Sequence, residues 1–283
     1  IKMTKIKLII ISALFLMGAA GCSESFLDQE PENVIPESMI YEDKELVLSV
    51  LSNLYGKVNW GQNNGDFGSY DQLDEANKCY GSPWVIFTEY DRNSWRVRDY
   101  DFVRRVNLFL QGVRGSSALQ ESEKKAFEGE ARFLRGAYYY LLMNLYANPY
   151  VKETASTDMG VPLNLTEDII DEYYHRNSME ECYRVIVEDL NVAADKLKGV
   201  TQPTIYRVNE LAARILLSRV YLYMGEWQLA LDECQKALNL GNVELMDLNS
   251  FPGREENRYI LDVENPEIIF TQGYSATNVF YKN

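Results

Sequence analysis

The sequence predicts an all-α or mainly α-helical fold, built as a scaffold of stacked helices with long loops. Three observations lead to this prediction. Apolar residues recur at three- and four-residue spacing along six segments, residues typical of helix ends flank several of them, and the last two carry the pattern of a helical repeat. The six segments comprise residues 41–59, 100–114, 117–146, 178–198, 209–224 and 226–240.

An export signal precedes the helices and occupies residues 1–21. Lysines near the start are followed by an apolar run at 8–20, and small residues stand before Cys22. The run is too short to cross a membrane, because a helical span needs about 20 apolar residues. A cysteine directly after small residues is typical of a bacterial lipobox, so we predict that Cys22 is the lipidated N-terminus. The alternative is an ordinary secretory signal followed by a chance cysteine.

The rest of the chain divides into three parts. Residues 22–40 are polar, contain two prolines and lack helical periodicity, so they predict a tether that leads away from the lipid. Residues 41–250 carry the helical segments and predict one helical domain. Residues 251–283 include a strand-like stretch at 267–270, and we expect them to begin a C-terminal region that is truncated.

Signals at the helix ends support the boundaries of the helical segments. Ser117 with Gln120 and Ser178 with Glu181 have the spacing of a capping box. Glycines stand where helices should stop, at Gly115, Gly199, Gly225 and Gly241. The fifth segment is apolar on nearly all sides, which predicts that it packs on several faces.

The last two segments match the pattern of a tetratricopeptide helix pair. Small, aromatic and glycine positions follow one another in the expected order at Ser218, Tyr221, Gly225, Trp227, Ala230, Cys234 and Ala237. Small residues let two helices approach closely, so we predict a tetratricopeptide-like hairpin; a generic antiparallel helix pair is the alternative. One hairpin cannot bury its own faces, and the earlier helices are therefore expected to stack on it.

Composition and motifs argue against several classes of function. The formal net charge is −14, and a phosphate-binding surface needs clustered Lys and Arg, so nucleic acid is not an expected partner. His175 is the only histidine, and the chain lacks nucleophile-elbow, phosphate-loop and dinucleotide-binding motifs. We therefore predict no catalytic residue, no metal site and no cofactor, and interpret His175 as a plain surface side chain.

Two other sets of side chains need no special chemistry. The acidic pairs Asp74–Glu75 and Glu89–Asp91 would serve glycoside hydrolysis only if they faced each other across a cleft, and in so acidic a chain we interpret them as solvated. With Cys22 acylated, the remaining cysteines allow one internal disulfide at most. We expect them to be small buried side chains, and they are Cys79, Cys182 and Cys234.

The segment from residue 60 to residue 95 is the best candidate for contact with a ligand. It is rich in aromatic residues, glycine and asparagine without clear periodicity, and such long loops are uncommon unless they are functional. Sugars present apolar C–H faces and hydroxyl pairs, which aromatic rings and Asn or Asp side chains can bind. The preferred candidates are Trp84, Asn93 and Trp95, followed by Trp60, Tyr80 and Tyr90. For each aromatic residue, core packing is the alternative.

The third helical segment combines arginines with a run of tyrosines. Glu128 lies four residues before Arg132, and Arg135 follows within a turn. An intrahelical ion pair is available at this spacing, so we interpret both arginines as structural and not as ligand-binding. The run Tyr138-Tyr139-Tyr140 is expected to pack between repeats.

Several of these segments together resemble the SusD/RagB family of surface glycan-binding lipoproteins. The matching blocks follow in family order at Cys22 with Phe26-Leu27-Asp28 and Pro31, residues 100–110, residues 130–139, Gly160-Val161-Pro162-Leu163, residues 176–190 and residues 207–230. The block at 130–139 (EARFLRGAYY) is similar to the family's most recognisable motif. The turn at 146–150 departs from the usual Tyr-Gly-Gly type, and the large C-terminal region of the family is missing.

The resemblance implies a tetratricopeptide-like scaffold that is lipid-anchored at the outer membrane and faces outward. Such proteins cap a SusC-like TonB-dependent β-barrel transporter and hand it oligosaccharides, which they bind without cleaving. The leading hypothesis is therefore a glycan-capture lipoprotein with the transporter as its partner. A tetratricopeptide-type lipoprotein adaptor that binds proteins or peptides in the cell envelope is the alternative. A glycoside hydrolase is the third hypothesis, and it predicts that reducing ends are released.

Overall fold

The computed structural model describes residues 37–55, 89–166, 175–241, 244–247, 249 and 265–271. The chain divides into two compact units, Ile1–Ile40 and Tyr41–Asn283. In the first unit, the described residues form the short helix α1 (Glu37–Ile40). Several residues singled out by the sequence lie outside the described ranges, namely Cys22, Trp60, Asp74, Glu75, Cys79, Tyr80 and Trp84.

Longer helices make up the described part of the second unit, which confirms the mainly α-helical prediction. In chain order they are α2 (Lys44–Tyr55), α3 (Glu89–Gly115), α4 (Glu121–Tyr146), α5 (Met179–Lys196), α6 (Glu210–Tyr223) and α7 (Trp227–Asn239). Across the described residues there is no strand, only an isolated antiparallel bridge between Met159 and Ser178. None of the described helices has both the length and the hydrophobicity needed to span a membrane.

The predicted start of α3 and the predicted strand are both wrong. α3 begins at Glu89 and not at residue 100, so the last part of the predicted 60–95 loop is helical. Residues 89–99 are mostly charged or polar, and they therefore lack the apolar stripe by which a sequence pattern identifies a helix. The strand-like stretch at 267–270 begins in a turn and forms no strand among the described residues. A strand needs a partner strand, whereas here the Thr271 N–H donates to the Ile205 carbonyl (3.0 Å), which lies in a turn.

Each long helix from α3 to α7 packs against the next one in the chain, and α2 packs against both α3 and α4. α4 and α5 approach each other closely at two glycines of α4. A Cβ placed on Gly129 would lie 2.9 Å from Leu197 Cγ, and one placed on Gly136 would lie 3.1 Å from Leu190 Cγ. A methyl group at either position would push α5 away, so the absence of a side chain sets the helix spacing.

The helix ends follow the predicted signals, with one shift in register. At α5, the Glu181 N–H donates to Ser178 Oγ (3.2 Å) and the Ser178 N–H donates to the Glu181 carboxylate (3.0 Å), which confirms this capping box. At α4, the N-cap is Gln120 and not Ser117, because the Glu123 carboxylate accepts the Gln120 N–H (3.0 Å). Three predicted stops have a positive φ that favours glycine, at Gly199, Gly225 and Gly241.

α6 and α7 form the predicted hairpin. Ser218 Oγ and Cys234 Sγ lie 3.1 Å apart across the two helices, and Ala230 and Ala237 are buried. These are the small positions of the repeat pattern, and they let the helices approach as expected. Trp227, the aromatic position that opens α7, is 68% exposed. The hairpin therefore leaves an indole ring on its surface.

A buried ion cluster joins α3, α4 and α5. The Asp189 carboxylate accepts hydrogen bonds from Arg132 (2.7 Å) and from two nitrogens of Arg135 (2.7 and 2.8 Å), and Arg135 also donates to Asn107 Oδ1 (2.9 Å). The arginines are structural as predicted, but the predicted intrahelical partner Glu128 is wrong, since it pairs with a lysine of α5. Helix packing buries the Asp189 carboxylate beside both arginines, and a buried charge must be paired.

A second polar contact fixes the C-terminal end of α2. Glu130 of α4 is fully buried and accepts hydrogen bonds from the Tyr55 hydroxyl (2.5 Å) and from Arg207 Nε (2.9 Å). The Tyr55 hydroxyl in turn accepts the Val208 N–H (3.1 Å). Tyr55 is the last residue of α2, so this network fixes the point where the candidate ligand segment leaves the helix.

The three consecutive tyrosines of α4 are buried, which confirms that they pack between helices. The Tyr138 hydroxyl donates to the Leu54 carbonyl (2.9 Å), and the Tyr139 hydroxyl donates to the Asn164 carbonyl (2.8 Å). The third ring, Tyr140, packs edge-on against Tyr223 of α6. The run therefore links α4 to three other parts of the chain.

Candidate functional site

The register between α3 and α4 fixes where the N-terminal third of α3 lies. Asn107 of α3 contacts Arg135 of α4 (2.9 Å), and Phe102 stacks on Tyr138 with 5.5 Å between ring centroids. The earlier residue of α3 thus lies beside the later residue of α4, so the two helices are antiparallel. At about 1.5 Å per residue, the start of α3 reaches the level at which α4 ends.

The same end of the helices also holds the start of α5, the end of α6 and the start of α7, because successive helices alternate in direction. Tyr140, Tyr183 and Tyr223 come from α4, α5 and α6, and Tyr150 follows α4. We call this the aromatic end, defined by these four tyrosines. The opposite end is the one at which α4 and α6 begin.

The predicted ligand residues divide into two groups. Tyr90, Asn93 and Trp95 lie on the first turns of α3 and not in a loop. Positions 90 and 93 are about one turn apart on the same side of the helix, whereas position 95 lies on another side. Trp60, Tyr80 and Trp84 lie outside the described residues. The described positions therefore belong to the aromatic end, and ligand contact by any of the six stays a prediction.

The four tyrosines of the aromatic end pack in two edge-on pairs. Ring centroids are 5.6 Å apart for Tyr140 and Tyr223, and 4.9 Å apart for Tyr150 and Tyr183. Tyr140 and Tyr183 are buried, Tyr150 is half-buried and Tyr223 is exposed. This cluster was not predicted from the sequence. The signal was the tyrosine content, 20 Tyr against 11 Phe, but its members are too far apart in sequence to be grouped by spacing.

The pKa values of three hydroxyl groups in this cluster, those of Tyr140, Tyr150 and Tyr183, are raised. Burial, with Tyr223 and Tyr150 nearby, raises the pKa of Tyr183 to about 12. Burial also raises the pKa of Tyr140 and of Tyr150 above its usual range. A protonated phenol both donates and accepts a hydrogen bond. The aromatic end thus offers neutral hydroxyls beside ring surfaces.

Acidic side chains surround Tyr150. Glu180, Glu226 and Glu153 all raise its pKa, while Lys152 lowers it. Lys152 Nζ lies 2.5 Å from a Glu226 carboxylate oxygen, so its charge is paired. The rim beside Tyr150 therefore carries more negative than positive charge, whereas Arg219 lies near Tyr140.

Potential metal ligands do not cluster in the described ranges. No group of three His, Cys, Asp or Glu side chains in these ranges is placed to hold a metal ion. His175 is exposed, as predicted. Cys182 is free and buried, as expected, and burial raises the pKa of its thiol. Cys234 is free but exposed, so its predicted burial is wrong. Its thiol lies against Ser218 of α6, at an edge of the hairpin that solvent reaches.

Comparison with known proteins places this architecture in a family. A family model described as SusD-like, starch-binding and associating with the outer membrane matches residues 25–222. A SusD-like protein of Bacteroides ovatus is 28% identical over 238 residues, which cover 79% of this chain and 40% of that protein. A SusD-like protein of Formosa agariphila is 22% identical, over 96% of this chain and 52% of that protein. The chain thus spans about half the length of these curated relatives or less.

Solved structures share the same helical fold. A SusD-like carbohydrate-binding protein from Bacteroides vulgatus superposes with a TM-score of 0.60 at 19% identity, covering 72% of this chain and 46% of that one. A SusD-like protein from Bacteroides fragilis superposes with a TM-score of 0.57 at 25% identity, covering 77% of this chain and 42% of that one. Since the family model matches more than half of the sequence, the chain belongs to the SusD-like family.

Proposed function

We propose that this chain is the helical part of a surface glycan-binding lipoprotein, which captures oligosaccharides and delivers them to a SusC-like TonB-dependent transporter. Membership of the SusD-like family is the observation that carries the proposal. The family description names starch binding and the outer membrane, and one structural neighbour is named a carbohydrate-binding protein. The proposed lipid anchor of the protein is attached at Cys22, the predicted lipidated residue.

The proposed glycan contacts are the six residues that the sequence analysis selected. The segment that holds Trp60, Tyr80 and Trp84 begins directly after Tyr55, which the Glu130 network fixes to α4. It ends at the start of α3, at the aromatic end, where Tyr90, Asn93 and Trp95 follow. Both ends of the segment are thus attached to the helical scaffold.

Calorimetry tests the glycan part of the proposal. The chain from residue 23 onward, which lacks the lipid site, is titrated with neutral malto-, cello-, xylo- and manno-oligosaccharides of seven units or fewer. We expect one class to bind, and Trp84→Ala and Trp95→Ala each to weaken it about tenfold, since a stacked aromatic ring contributes about 1–1.5 kcal/mol. Leu238→Ala, an exposed aliphatic residue on α7, is the matched control. Equal affinity in all variants would refute the assignment of these residues.

Two further measurements address the partner and catalysis. Purification of the lipidated protein from outer membranes in mild detergent should recover a large β-barrel protein, and a Cys22→Ala variant should lose it together with the membrane. Prolonged incubation with a bound oligosaccharide should release no new reducing ends. Consistent recovery without a barrel would refute the delivery step, and the steady release of reducing ends would favour a hydrolase.

A protein-binding adaptor is the second candidate, and the outer side of α7 is the observation that favours it. Leu231 and Leu238 are more than half exposed there, two turns apart on one side of the helix. Apolar surface of this kind often contacts proteins. The adaptor predicts no sugar binding and loss of a protein partner in Leu231→Asp, whereas glycan capture predicts sugar binding that this variant leaves unchanged.

A further inference from the structure

We propose that Tyr150, Tyr183, Tyr223 and Trp227 form a second sugar-binding surface at the aromatic end, and that it takes the neutral pyranose units of an oligosaccharide. We call these four residues the platform. The inference rests on the proposed glycan-binding function, but it concerns residues of α5, α6 and α7 that the proposed contacts do not include.

Exposed rings are the first observation. Trp227 is 68% exposed and Tyr223 is 53% exposed, although both belong to helices that pack closely. A Cβ placed on Gly225 would lie 3.9 Å from Trp227 Cζ2, so the indole folds back over the α6–α7 turn. Tyr223 is held edge-on by Tyr140. Two ring surfaces are therefore fixed beside one turn, and fixed aromatic faces are what the apolar side of a pyranose packs against.

Unused hydroxyl groups are the second observation. Within the described part of the chain, the hydroxyls of Tyr150, Tyr183 and Tyr223 have no hydrogen-bond partner. Tyr183 is the most buried of the three, with 3% of the residue exposed. Its hydroxyl oxygen is not one of the buried, unpaired polar atoms of the described residues, so it reaches the surface, where a ligand can contact it. A sugar hydroxyl at the platform would supply the missing partner as donor or acceptor.

The charged side chains around Tyr150 determine which class of sugar the platform favours. Glu153, Glu180 and Glu226 lie around Tyr150, and the positive charge of Lys152 is already paired with Glu226. A uronate or a sulfated sugar seated at Tyr150 would meet more negative than positive charge, although Arg219 lies near Tyr140 on the other side of the platform. Neutral sugars avoid this repulsion, and their hydroxyls can donate to the carboxylates. The platform is therefore assigned to neutral oligosaccharides.

Fluorine NMR of the full mature chain, labelled with 5-fluorotryptophan, separates the platform from the proposed contacts. The four tryptophans give resonances that single Trp→Phe variants assign. We add the neutral oligosaccharides named above and, as the charged probe, an oligogalacturonate. A neutral sugar should shift the Trp227 resonance as well as one or more of the others, and oligogalacturonate should leave Trp227 unchanged. Trp227→Ala should weaken binding roughly three- to tenfold.

Hydroxyl deletions test the platform without removing a ring. Tyr183→Phe and Tyr223→Phe should each weaken binding about two- to fivefold, as expected for one lost hydrogen bond, without lowering the thermal unfolding midpoint. Tyr206→Phe is the matched control, since Tyr206 is a partly exposed tyrosine near the start of α6, at the opposite end. If Tyr183→Phe binds as tightly as the wild type, the hydroxyl is not a ligand contact and the platform is refuted.

The outcomes for the two sites are distinct. Shifts of the Trp60, Trp84 or Trp95 resonance with an unchanged Trp227 resonance would refute the platform and leave the proposed function intact. A shift at Trp227 alone would support the platform and refute the proposed contacts. A shift at Trp227 that is as large with oligogalacturonate as with neutral sugars would refute the assignment to neutral ligands. If none of the four resonances shifts with any sugar, both sites are refuted.

Discussion

Asp189→Asn tests how the central helices are held together. The substitution keeps the volume of the side chain and removes the charge that Arg132 and Arg135 share. It also replaces one acceptor oxygen by an NH₂ group that faces a guanidinium donor. The perturbation is therefore confined to the ion cluster that joins α4 to α5.

The expected cost follows from how deeply each partner is buried. The side chains of Asp189 and Arg135 are 1% and 6% exposed, so water cannot replace the lost charge at Arg135. Arg132 is 22% exposed and can turn partly to solvent. Removing one partner of a buried ion pair costs about 3–5 kcal/mol of unfolding free energy, and we expect Asp189→Asn to fall in this range.

Urea unfolding of the chain, followed by circular dichroism, measures this loss. Glu121→Gln is the control, because Glu121 is 90% exposed and its pair with Lys124 should contribute less than about 0.5 kcal/mol. In the double variant with Arg135→Met, the two losses should be clearly less than additive, since both remove the same pair. A loss below about 1 kcal/mol for Asp189→Asn would refute the view that this cluster ties the helices together.

Three further substitutions test other contacts. Tyr55→Phe removes the hydrogen bond to buried Glu130 and should cost about 1–3 kcal/mol in urea unfolding; no loss would show that the network does not fix α2. Gly136→Ala places a Cβ 3.1 Å from Leu190 and should cost about 1–3 kcal/mol by overpacking, whereas a gain would mean that α5 yields freely. The pKa of Tyr183 is raised to about 12 in the folded state, whereas the unfolded value is about 10. Because the folded state binds this proton more tightly, the free energy of unfolding should fall as the pH rises from about 10 to 12. Tyr183→Phe should make this fall shallower, and an unchanged slope would contradict the burial of the hydroxyl.

Local signals in the sequence were sufficient for several features that depend on neighbouring residues, although they placed the N-cap of α4 three residues too early. The capping box of Ser178 and Glu181 depends on residues three apart, and it forms as the spacing indicates. The end of α6 at Gly225 depends on one backbone conformation with positive φ, which glycine adopts readily. The small positions Ser218 and Cys234 meet because the repeat pattern already encodes a helix pair.

Features that depend on packing between distant segments could not be obtained in this way. Asp189 lies more than fifty residues from the arginines it pairs with, so the nearby Glu128 was the only partner that spacing could suggest. The first turns of α3 carry no apolar stripe, and periodicity therefore missed their helical state. The tyrosine cluster combines Tyr140 with Tyr223, two residues that only the stacking of α4 and α6 brings together.

Hydrogen–deuterium exchange with and without a bound neutral oligosaccharide tests most directly whether glycans bind at the aromatic end. We expect slower exchange in peptides from residues 56–99, which hold the proposed contacts, and in peptides that cover residues 147–152 and 221–229. Peptides from the opposite end, residues 196–207, should exchange at the same rate in both states. Protection at residues 196–207, or unchanged exchange at 56–99 under saturating ligand, would contradict this location of the site.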